Sequence, residues 1–296
     1  MRSGKYRGIL SNGEIILSHP AAVLLLTNQL EVSPKGGREM LCKLNHDVLI
    51  DIHSNSLIVL ELTKRSVSGI KSFINAFRGH IDGVNNEAID VIFHTIRSKS
   101  VGSVFVDGSN FGELVHQINK EFPQIKVFTF FHNVEARFFW GLWRLNNTMH
   151  ALGVLLANVL AERKAVKFSD KIICLSVRDS GLLKKLYGRG ATHIAPMVLQ
   201  DMYHASFEEF VTNPPEPFAL FVGGVFYANR TGIEWFVREV VPQIQLPIYI
   251  VGRGFEVFRA ELEVPGKVVV VGAVESLAGW YQRAQFVIAP ILTDLV

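Results

Sequence analysis

The sequence predicts an α/β fold made of two Rossmann-like, doubly wound domains. Short apolar runs alternate along the chain with stretches of helical periodicity, and most of these runs lack a polar face. Strands that are apolar on both sides and separated by helices belong to parallel sheets that helices cover on both faces. The chain shows no short-period repeat and no low-complexity tract that would favour another architecture.

The apolar runs are the predicted strands. The run at 127–131 shows the pattern clearly, because it is β-branched and aromatic and follows Pro123 and a polar turn. In chain order the runs are AVLLL (22–26), VLIDI (48–52), SVFVDG (103–108), VFTFF (127–131), KIICLS (171–176), FALFVGG (218–224), PIYIVGRG (247–254), KVVVVG (267–272) and FVIAP (286–290).

Amphipathic helices are predicted between many of these strands. Each of two segments carries its apolar side chains on one face, and the second ends at a glycine. They are 110–122, with Phe111, Leu114, Val115 and Ile118, and 177–188, with Leu182, Leu183 and Leu186.

The alternation fails only at 199–217, LQDMYHASFEEFVTNPPEP, where three prolines lie near the end. The sequence therefore predicts an N-terminal domain at 1–198, an interdomain linker at 199–217 and a C-terminal domain at 218–296. The two domains are expected to face each other across a cleft.

Composition excludes several classes of protein. The 296 residues are 49% hydrophobic and 19% charged, which is too apolar for disorder, and the net charge of +3 does not indicate a nucleic-acid partner. Cys42 and Cys174 have no metal-ligand spacing, so core thiols in a reduced cytosolic setting are expected. No signal peptide is evident, and the longest apolar stretch, 151–161, is shorter than the roughly 20 residues of a spanning helix.

The stretch FTFFHNVEARFFWG (128–141) places polar residues directly after a predicted interior strand. In open α/β sheets ligands bind beyond the carboxyl ends of the strands. His132, Asn133 and Glu135 are therefore candidate site residues. The alternatives are a structural histidine and, for Glu135, a carboxylate that stabilises the first turn of a helix.

Glycine motifs argue against a dehydrogenase. A dinucleotide fold would carry G-x-G-x-x-G after its first strand, whereas this chain has Gly36 and Gly37 at a helix start and VGRG at 251–254. The glycine pair has an equally simple interpretation as a tight strand-to-helix turn.

Four segments, in this order, resemble the retaining GT-B nucleotide-sugar glycosyltransferases of group 1. They are SPKGGREML, FHNVE, the region from ERKAVKFSDKIICLS to IAPMVLQD, and the region from FVGGVFYANRTGIEW to FVIAP. The resemblance runs from about residue 22 to the end. It implies transfer of a sugar from a nucleoside diphosphate sugar to an acceptor, with retention and without a bound metal or other cofactor. It also implies a role in cell-surface polysaccharide synthesis.

The resemblance places the donor in the second domain. Gly223 and Gly224 would let backbone N–H groups approach the phosphates, beside Asn229 and Arg230 at the following helix. Arg253 is a second cationic candidate, and Val274 and Glu275 would lie along the nucleotide edge. Alternatively, Arg230 is a solvated helix-start arginine and Glu275 a simple N-terminal helix carboxylate.

The resemblance places the acceptor in the first domain. His132, the catalytic candidate, would touch the transferred sugar or the leaving phosphate, while Gly36, Gly37, Asn133 and Glu135 would line the acceptor side. In such enzymes the acceptor proton can pass to the donor's own phosphate, so that no general base is required.

The segment ARFFWGLWRLNN (136–147) is rich in tryptophan, phenylalanine and arginine. It suits either ordinary helix packing or peripheral contact with the inner face of the cytoplasmic membrane, where a lipid-linked glycan acceptor would reside.

Two further functions fit the same architecture: a nucleotide-sugar epimerase, and an inactive sugar-nucleotide-binding or partner protein. The family carries a Gly-rich loop and a helix with two glutamates beyond the last strand, whereas this sequence ends at APILTDLV. We therefore expect an incomplete second domain, and little transferase activity until the missing segment is supplied.

Overall fold

The computed structural model describes residues 21–28, 30–32, 34, 36–63, 69–198 and 217–292, with the backbone alone at 69–71. The chain divides into two compact units, Met1–Val198 and Leu199–Val296. The predicted linker lies outside the described residues except for residue 217, so its assignment stays a prediction.

The first unit is a six-stranded, wholly parallel sheet in the order β2-β1-β3-β4-β5-β6. Its strands are β1 (Ala22–Thr27), β2 (Leu57–Glu61), β3 (Val101–Asp107), β4 (Lys126–Phe131), β5 (Lys171–Cys174) and β6 (His193–Ile194). Its helices are α1 (Gly37–His53), α2 (Gly69–Phe77), α3 (Asn86–Ser98), α4 (Gly112–Glu121), α5 (Glu135–Asn146), α6 (Met149–Phe168) and α7 (Val177–Tyr187).

The direction of winding reverses between β1 and β3 in this sheet. The chain moves outward from β1 to β2 and then crosses back to β3 on the other side of β1. Such a reversal opens a crevice at the carboxyl ends of the two central strands. Polar side chains that follow β1, β3 and β4 are therefore brought to one edge of the sheet.

The second unit is a four-stranded parallel sheet in the order β10-β7-β8-β9. Its elements are β7 (Ala219–Val222), α8 (Tyr227–Glu239), β8 (Ile248–Val251), α9 (Arg259–Leu262), β9 (Val268–Gly272), α10 (Ala278–Arg283) and β10 (Phe286–Ile288). Here the winding reverses between β7 and β10, which identifies the end of β7 as the expected ligand edge.

Most predicted elements are confirmed. All four apolar side chains expected to face inward from 110–122 are fully buried. On α7, Leu183 is buried but Leu186 is 46% exposed, contrary to expectation. The neighbouring Tyr187 reaches the interior instead, where its hydroxyl contacts Glu162.

The predicted strand VLIDI (48–52) is wrong, because these residues form the last turns of α1. Only Leu49 is buried, whereas Val48, Ile50 and Ile52 are exposed. The strand that pairs with β1 is instead β2, a few residues later, with Leu24 opposite Ile58. A short apolar run cannot by itself distinguish a helix end from a strand.

Both cysteines are free and buried. Among the described residues, no helix combines the length and the apolar character that crossing a bilayer requires.

Candidate functional site

Asp107 is the centre of a buried hydrogen-bond network in the first unit. It is the last residue of β3 and is 0% exposed. Its carboxylate accepts hydrogen bonds from Thr27 Oγ1 at 2.9 Å and from Asn45 Nδ2 at 2.8 Å. It also lies 2.7 Å from Nε2 of His132.

The ionised form of Asp107 is favoured despite its burial. Burial acts to raise its pKa, but the hydrogen bond and charge of His132, with further hydrogen bonds from Cys42 and Asn45, hold the pKa below its usual value. An ionised carboxylate only accepts hydrogen bonds, so the proton of the shared bond lies on Nε2. The Nδ1 atom of His132 has no hydrogen-bond partner among the described residues.

Strand register explains why this pair forms. Asp107 lies opposite Phe130 in the parallel ladder, and His132 follows two residues later at the same edge of the sheet. The His132 ring packs edge-on against Phe130, with ring centroids 5.5 Å apart. His132 was identified from the sequence, whereas Asp107 was missed although it also follows an apolar strand.

Cys42 of α1 completes a possible ligand cluster. One ligand atom from each of Cys42, Asp107 and His132 lies within 4.8 Å of the others. Burial, followed by the charge of Asp107, raises the pKa of Cys42 to about 12, which disfavours the thiolate that a metal ion requires. The oxygens of Asp107 are already engaged by three side-chain donors. The arrangement therefore fits a hydrogen-bond network better than a metal centre.

A second buried network surrounds Glu162 of α6, which is 0% exposed. Its carboxylate accepts hydrogen bonds from the backbone N–H groups of Glu135, at 2.8 Å, and Ala136, at 3.2 Å. The hydroxyl of Tyr187 donates to it at 2.8 Å, and that of Ser109 lies at 3.5 Å. Glu162 thus connects the first turn of α5 to the residues that follow β3 and to the end of α7.

Glu135 is the first residue of α5, which agrees with the alternative that its carboxylate lies in the first turn of a helix. Burial, followed by the negative charge of Glu162, raises its pKa to about 7. Interactions with Arg38 and with His132 act in the opposite direction and lower this pKa. His132 directly follows β4 and Glu135 begins α5 three residues later, so both lie at one edge of the first sheet.

Arg38 in the first turn of α1 is held by Asp82 at 3.2 Å and by Asn110 at 3.4 Å, and its Nε atom is buried without a partner. Gly36 and Gly37 precede it, and a Cβ atom would fit at either position. Nothing in the described structure therefore requires glycine there. The Oδ1 atom of Asn133 is also buried without a partner, as are both polar side-chain atoms of Asn28 after β1.

In the second unit, the backbone of Gly252 lies close to that of Gly223 at the end of β7. A Cβ atom at Gly223 would lie 2.6 Å from Nδ2 of Asn229, and one at Gly252 would lie 1.7 Å from the carbonyl oxygen of Gly223. Asn229 Nδ2 donates to the carbonyl of Gly224 at 2.9 Å. Helix α8 begins two residues before Asn229 and has no side-chain N-cap. The first turn of α8 therefore has no capping side chain, and the N-terminus of a helix favours an anion.

The two candidate arginines of this unit differ in their surroundings. Arg230 pairs with Glu234 on its own helix and with Glu261 at 3.5 Å, and its guanidinium lies 4.0 Å from the ring centroid of Phe258. Arg253, in the loop after β8, is exposed and has no ion pair among the described residues. Arg253 is thus the cation that remains available to a ligand.

Val274 and Glu275 follow β9. Val274 packs against the apolar cluster that includes Leu220 and Val251, whereas Glu275 is exposed. Beside them, the Glu256 carboxylate accepts hydrogen bonds from the backbone N–H groups of Gly254, at 2.6 Å, and Ala273, at 2.7 Å. Glu256, which the sequence did not single out, therefore joins the loops that follow β8 and β9.

Comparison with known proteins finds a family that the second unit resembles. Residues 216–295 match the family model described as "Glycosyl transferases group 1". The match confirms, over these residues, the resemblance inferred from the sequence. A search of curated protein sequences found no match.

Solved structures share the two-sheet fold of GT-B glycosyltransferases. Sucrose-phosphate synthase from Thermosynechococcus elongatus has a TM-score of 0.69 at 14% identity, covering 93% of this chain and 77% of that one. HepE from Anabaena, in complex with UDP and glucose, has a TM-score of 0.54 at 12% identity, with coverages of 89% and 73%. The lipopolysaccharide outer core galactosyltransferase WaaB, in its apo form, has a TM-score of 0.52 at 15% identity, with coverages of 88% and 71%. At these identities the likeness shows the fold alone.

Proposed function

We propose that this chain is a glycosyltransferase that moves a sugar from a nucleoside diphosphate sugar to a glycan or lipid-linked acceptor. The observation that carries the proposal is the family match over residues 216–295. The similar structures include a galactosyltransferase and a protein bound to UDP and glucose. Retention of anomeric configuration and a role in cell-surface polysaccharide synthesis follow from the sequence resemblance and are part of the proposal.

The donor's diphosphate would bind at the end of β7. Departure of a nucleoside diphosphate develops negative charge, which fixed N–H dipoles and cations stabilise. Gly223 and Gly224 carry no side chain there, and α8 begins without a side-chain cap, while the N–H of Gly223 itself donates to the carbonyl of Val251 at 3.0 Å. Arg253 would supply positive charge, while the loop of Val274 and Glu275 would contact the base. We expect no metal ion in this role.

His132 would contact the transferred sugar or the leaving phosphate through its Nδ1 atom. Asp107 holds Nε2 at 2.7 Å, so the opposite ring nitrogen is the one available to a ligand. In the neutral ring Nδ1 accepts a hydrogen bond, and in the charged ring it donates one. Either form suits a sugar hydroxyl, and the charged form also suits a phosphate oxygen.

The acceptor would bind in the first unit, beside Gly36, Gly37, Asn133 and Glu135. An open cavity of about 600 Å³ lies between the end of α2 and the start of α3, with Arg78, His80 and Asn85 among its lining residues. This volume falls in the range of small-molecule sites, and the polar lining suits a hydroxyl-rich ligand. Asp82, which binds Arg38, forms part of the same wall.

Helix α5 offers a surface for peripheral contact with a membrane. Trp140 is 51% exposed, and its ring lies 5.1 Å from that of Trp143. Arg144 is exposed on the same helix, and Met149 is 81% exposed at the start of α6. An exposed aromatic and basic surface suits the inner face of a cytoplasmic membrane, where a lipid-linked acceptor would be presented.

Thermal stabilisation tests the donor half of this proposal. A ligand that binds only the folded state at 100 times its Kd adds about 2.7 kcal/mol to the free energy of unfolding. We expect one of UDP-glucose, GDP-mannose and ADP-glucose to raise the melting temperature, whereas glucose 1-phosphate, which lacks the nucleoside, should not. If none of the three raises it at millimolar concentration, the donor assignment is wrong.

A further inference from the structure

The open cavity between the end of α2 and the start of α3 is lined by hydrogen-bond donors. It has a volume of about 600 Å³ and lies within the first unit. The guanidinium of Arg78, the imidazole of His80 and the amides of Asn75 and Asn86 are among the groups that line it. All four can donate hydrogen bonds, and the guanidinium cannot accept one. The cavity therefore favours a ligand that is rich in acceptor atoms.

The fold provides no acceptor for the side chains of Arg78 and His80. Their backbone N–H groups donate to the carbonyls of Ile74, at 3.1 Å, and Asn75, at 2.9 Å. Neither side chain makes a hydrogen bond or an ion pair with any described residue. Arginine can hold both oxygens of a carboxylate or a phosphate through two parallel hydrogen bonds. Arg78 therefore offers the cavity a positive charge that is free to bind an anion.

Two acids also line the cavity, and each already faces positive charge elsewhere. Asp82 pairs with Arg38 at 3.2 Å and accepts a hydrogen bond from Asn110. Glu87 is exposed in the first turn of α3, where the N-terminal end of the helix favours a negative charge. Neither acid forms an ion pair with Arg78, so the positive charge of the guanidinium is not cancelled within the cavity.

The turn at 78–85, which carries these two side chains, is fixed by close packing. Gly79 and Gly83 have φ angles of +80° and +97°. A Cβ atom at Gly79 would overlap the side chain of Glu113 on α4, and one at Gly83 would lie 2.9 Å from the carbonyl carbon of Leu62. Asn85 donates to the carbonyl of Gly83 at 3.2 Å and caps α3. Donors on such a turn lose little conformational freedom when a ligand binds.

Contacts within the first unit connect this cavity to the candidate site. Asp82 in the cavity wall contacts Arg38 of α1 and Asn110. Asn110 follows β3, and the last residue of β3 is Asp107, which lies 2.7 Å from His132. The cavity therefore belongs to the unit in which the acceptor is proposed to bind, and not to the unit that is proposed to bind the donor.

We propose that this cavity binds an anionic group of the acceptor glycan, a phosphate or a carboxylate, and that Arg78 and His80 determine the preference for it. This inference rests on the function proposed above, because it names the class of acceptor for the same reaction. No bond forms or breaks at the cavity, since the anion only accepts hydrogen bonds there. Loss of such a contact removes binding that the substrate and the transition state share, so it raises KM and leaves kcat unchanged.

Thermal stabilisation tests the cavity without turnover. Glucose 6-phosphate and glucuronic acid carry the two anionic groups, and glucose is the uncharged comparison. One of the two anions should raise the melting temperature of the wild type more than glucose does. Arg78→Gln should bind that anion with a Kd at least about tenfold higher. Arg163→Gln removes an exposed and unpaired arginine from α6, so it is the matched control and should behave as the wild type.

Inorganic phosphate provides a check on where the anion binds. Phosphate that binds at the end of β7 should stabilise the wild type, Arg78→Gln and Arg163→Gln alike. Only the stabilisation that is lost in Arg78→Gln and kept in Arg163→Gln therefore reports the cavity of the first unit. If glucose 6-phosphate and glucuronic acid stabilise all three proteins equally, or stabilise none of them, the cavity does not bind an anion.

Acceptor selectivity gives the second readout, with UDP-glucose, GDP-mannose or ADP-glucose as donor. The wild-type KM for the preferred anionic sugar should be at least about tenfold lower than for glucose. Arg78→Gln and His80→Ala should raise that KM and leave the KM for uncharged octyl glucoside unchanged, whereas a structural defect would change both. Wild-type transfer with equal KM values for charged and uncharged acceptors would overturn this inference alone. Anion binding that depends on Arg78, in a wild-type chain that transfers no sugar, would support the anion site and overturn the proposed function.

Discussion

The carboxylate of Asp107 lies 2.7 Å from Nε2 of His132, where two neighbouring parallel strands end. Asp107 is fully buried and the His132 side chain is 7% exposed. A carboxylate fixed by Thr27 and Asn45 cannot turn away, so it determines both the orientation and the protonated nitrogen of the imidazole.

His132→Ala should lower transfer by at least about tenfold, equivalent to roughly 1.4 kcal/mol of transition-state stabilisation, with the fold intact. Asp107→Asn should also lower transfer, because the amide NH2 group can donate to Nε2 of His132 and so move the proton of the neutral ring to Nδ1. It should cost about 1–3 kcal/mol of stability as well, since Thr27 or Asn45 loses an acceptor. Steady-state kinetics and chemical denaturation measure the two effects.

Asp51→Asn, on the exposed side of α1, is the control for these variants and should match the wild type. A folded His132→Ala protein with undiminished turnover would remove His132 from the mechanism.

Gly223→Val should weaken nucleotide binding at the end of β7. Even the first added carbon would lie 2.6 Å from Nδ2 of Asn229, which would be displaced from the carbonyl of Gly224. We expect at least a tenfold rise in Kd, measured by calorimetry with the nucleoside diphosphate that binds the wild type. Gly279→Ala is the control, because a Cβ atom there meets nothing within 4 Å. Equal affinities of the Gly223→Val and wild-type proteins would place the phosphates elsewhere.

Arg253→Ala should weaken donor binding more than Arg230→Ala. The Arg253 side chain is unpaired among the described residues, whereas Arg230 is engaged by Glu234, Glu261 and the ring of Phe258. Loss of Arg230 should mainly lower the stability of the second unit, by about 0.5–2 kcal/mol. Calorimetric Kd values and denaturation midpoints separate the effects. A greater loss of donor binding in Arg230→Ala than in Arg253→Ala would show that Arg230 is the arginine that binds the donor.

The stability of the first unit should fall as pH rises from about 4.5 to 7. The pKa of Glu135 and that of Glu162 are raised from 4.5 to about 7, so in this range the folded state binds more protons than the unfolded state. The free energy of unfolding then decreases by up to about 1.4 kcal/mol per pH unit for each proton. The pKa of Asp107 is lowered, so Asp107 affects the free energy of unfolding only at pH values below this range. Glu135→Gln should flatten the dependence, and melting at pH 5 and pH 7.5 provides the comparison. The same change in melting temperature between pH 5 and pH 7.5 in the variant and the wild type would contradict this prediction.

The strands were predictable from the sequence because both sheets are parallel and buried, so that each strand is a continuous apolar run. The exceptions have physical causes. VLIDI at 48–52 belongs to α1, where it lies partly exposed, and β2 has a similar apolar pattern that was not singled out. The two-residue β6 is too short for any pattern to reveal.

The candidate site was only partly predictable. His132 was found because polar residues after an interior strand are conspicuous, and the same argument applied to β3 would have found Asp107. Glu162 lies in the middle of a helix, and its importance depends on contacts with residues more than 20 positions away. No local pattern encodes such contacts.

The most direct test of the central claim is transfer itself. The chain is incubated with UDP-glucose, GDP-mannose or ADP-glucose and an octyl glycoside, and both the free nucleoside diphosphate and the glycosylated product are quantified. We expect one donor to yield both in equal amounts, with the anomeric configuration of the donor kept in the product. Nucleoside diphosphate sugar that is converted to an epimer without an acceptor, or recovered unchanged from every mixture, would contradict the account.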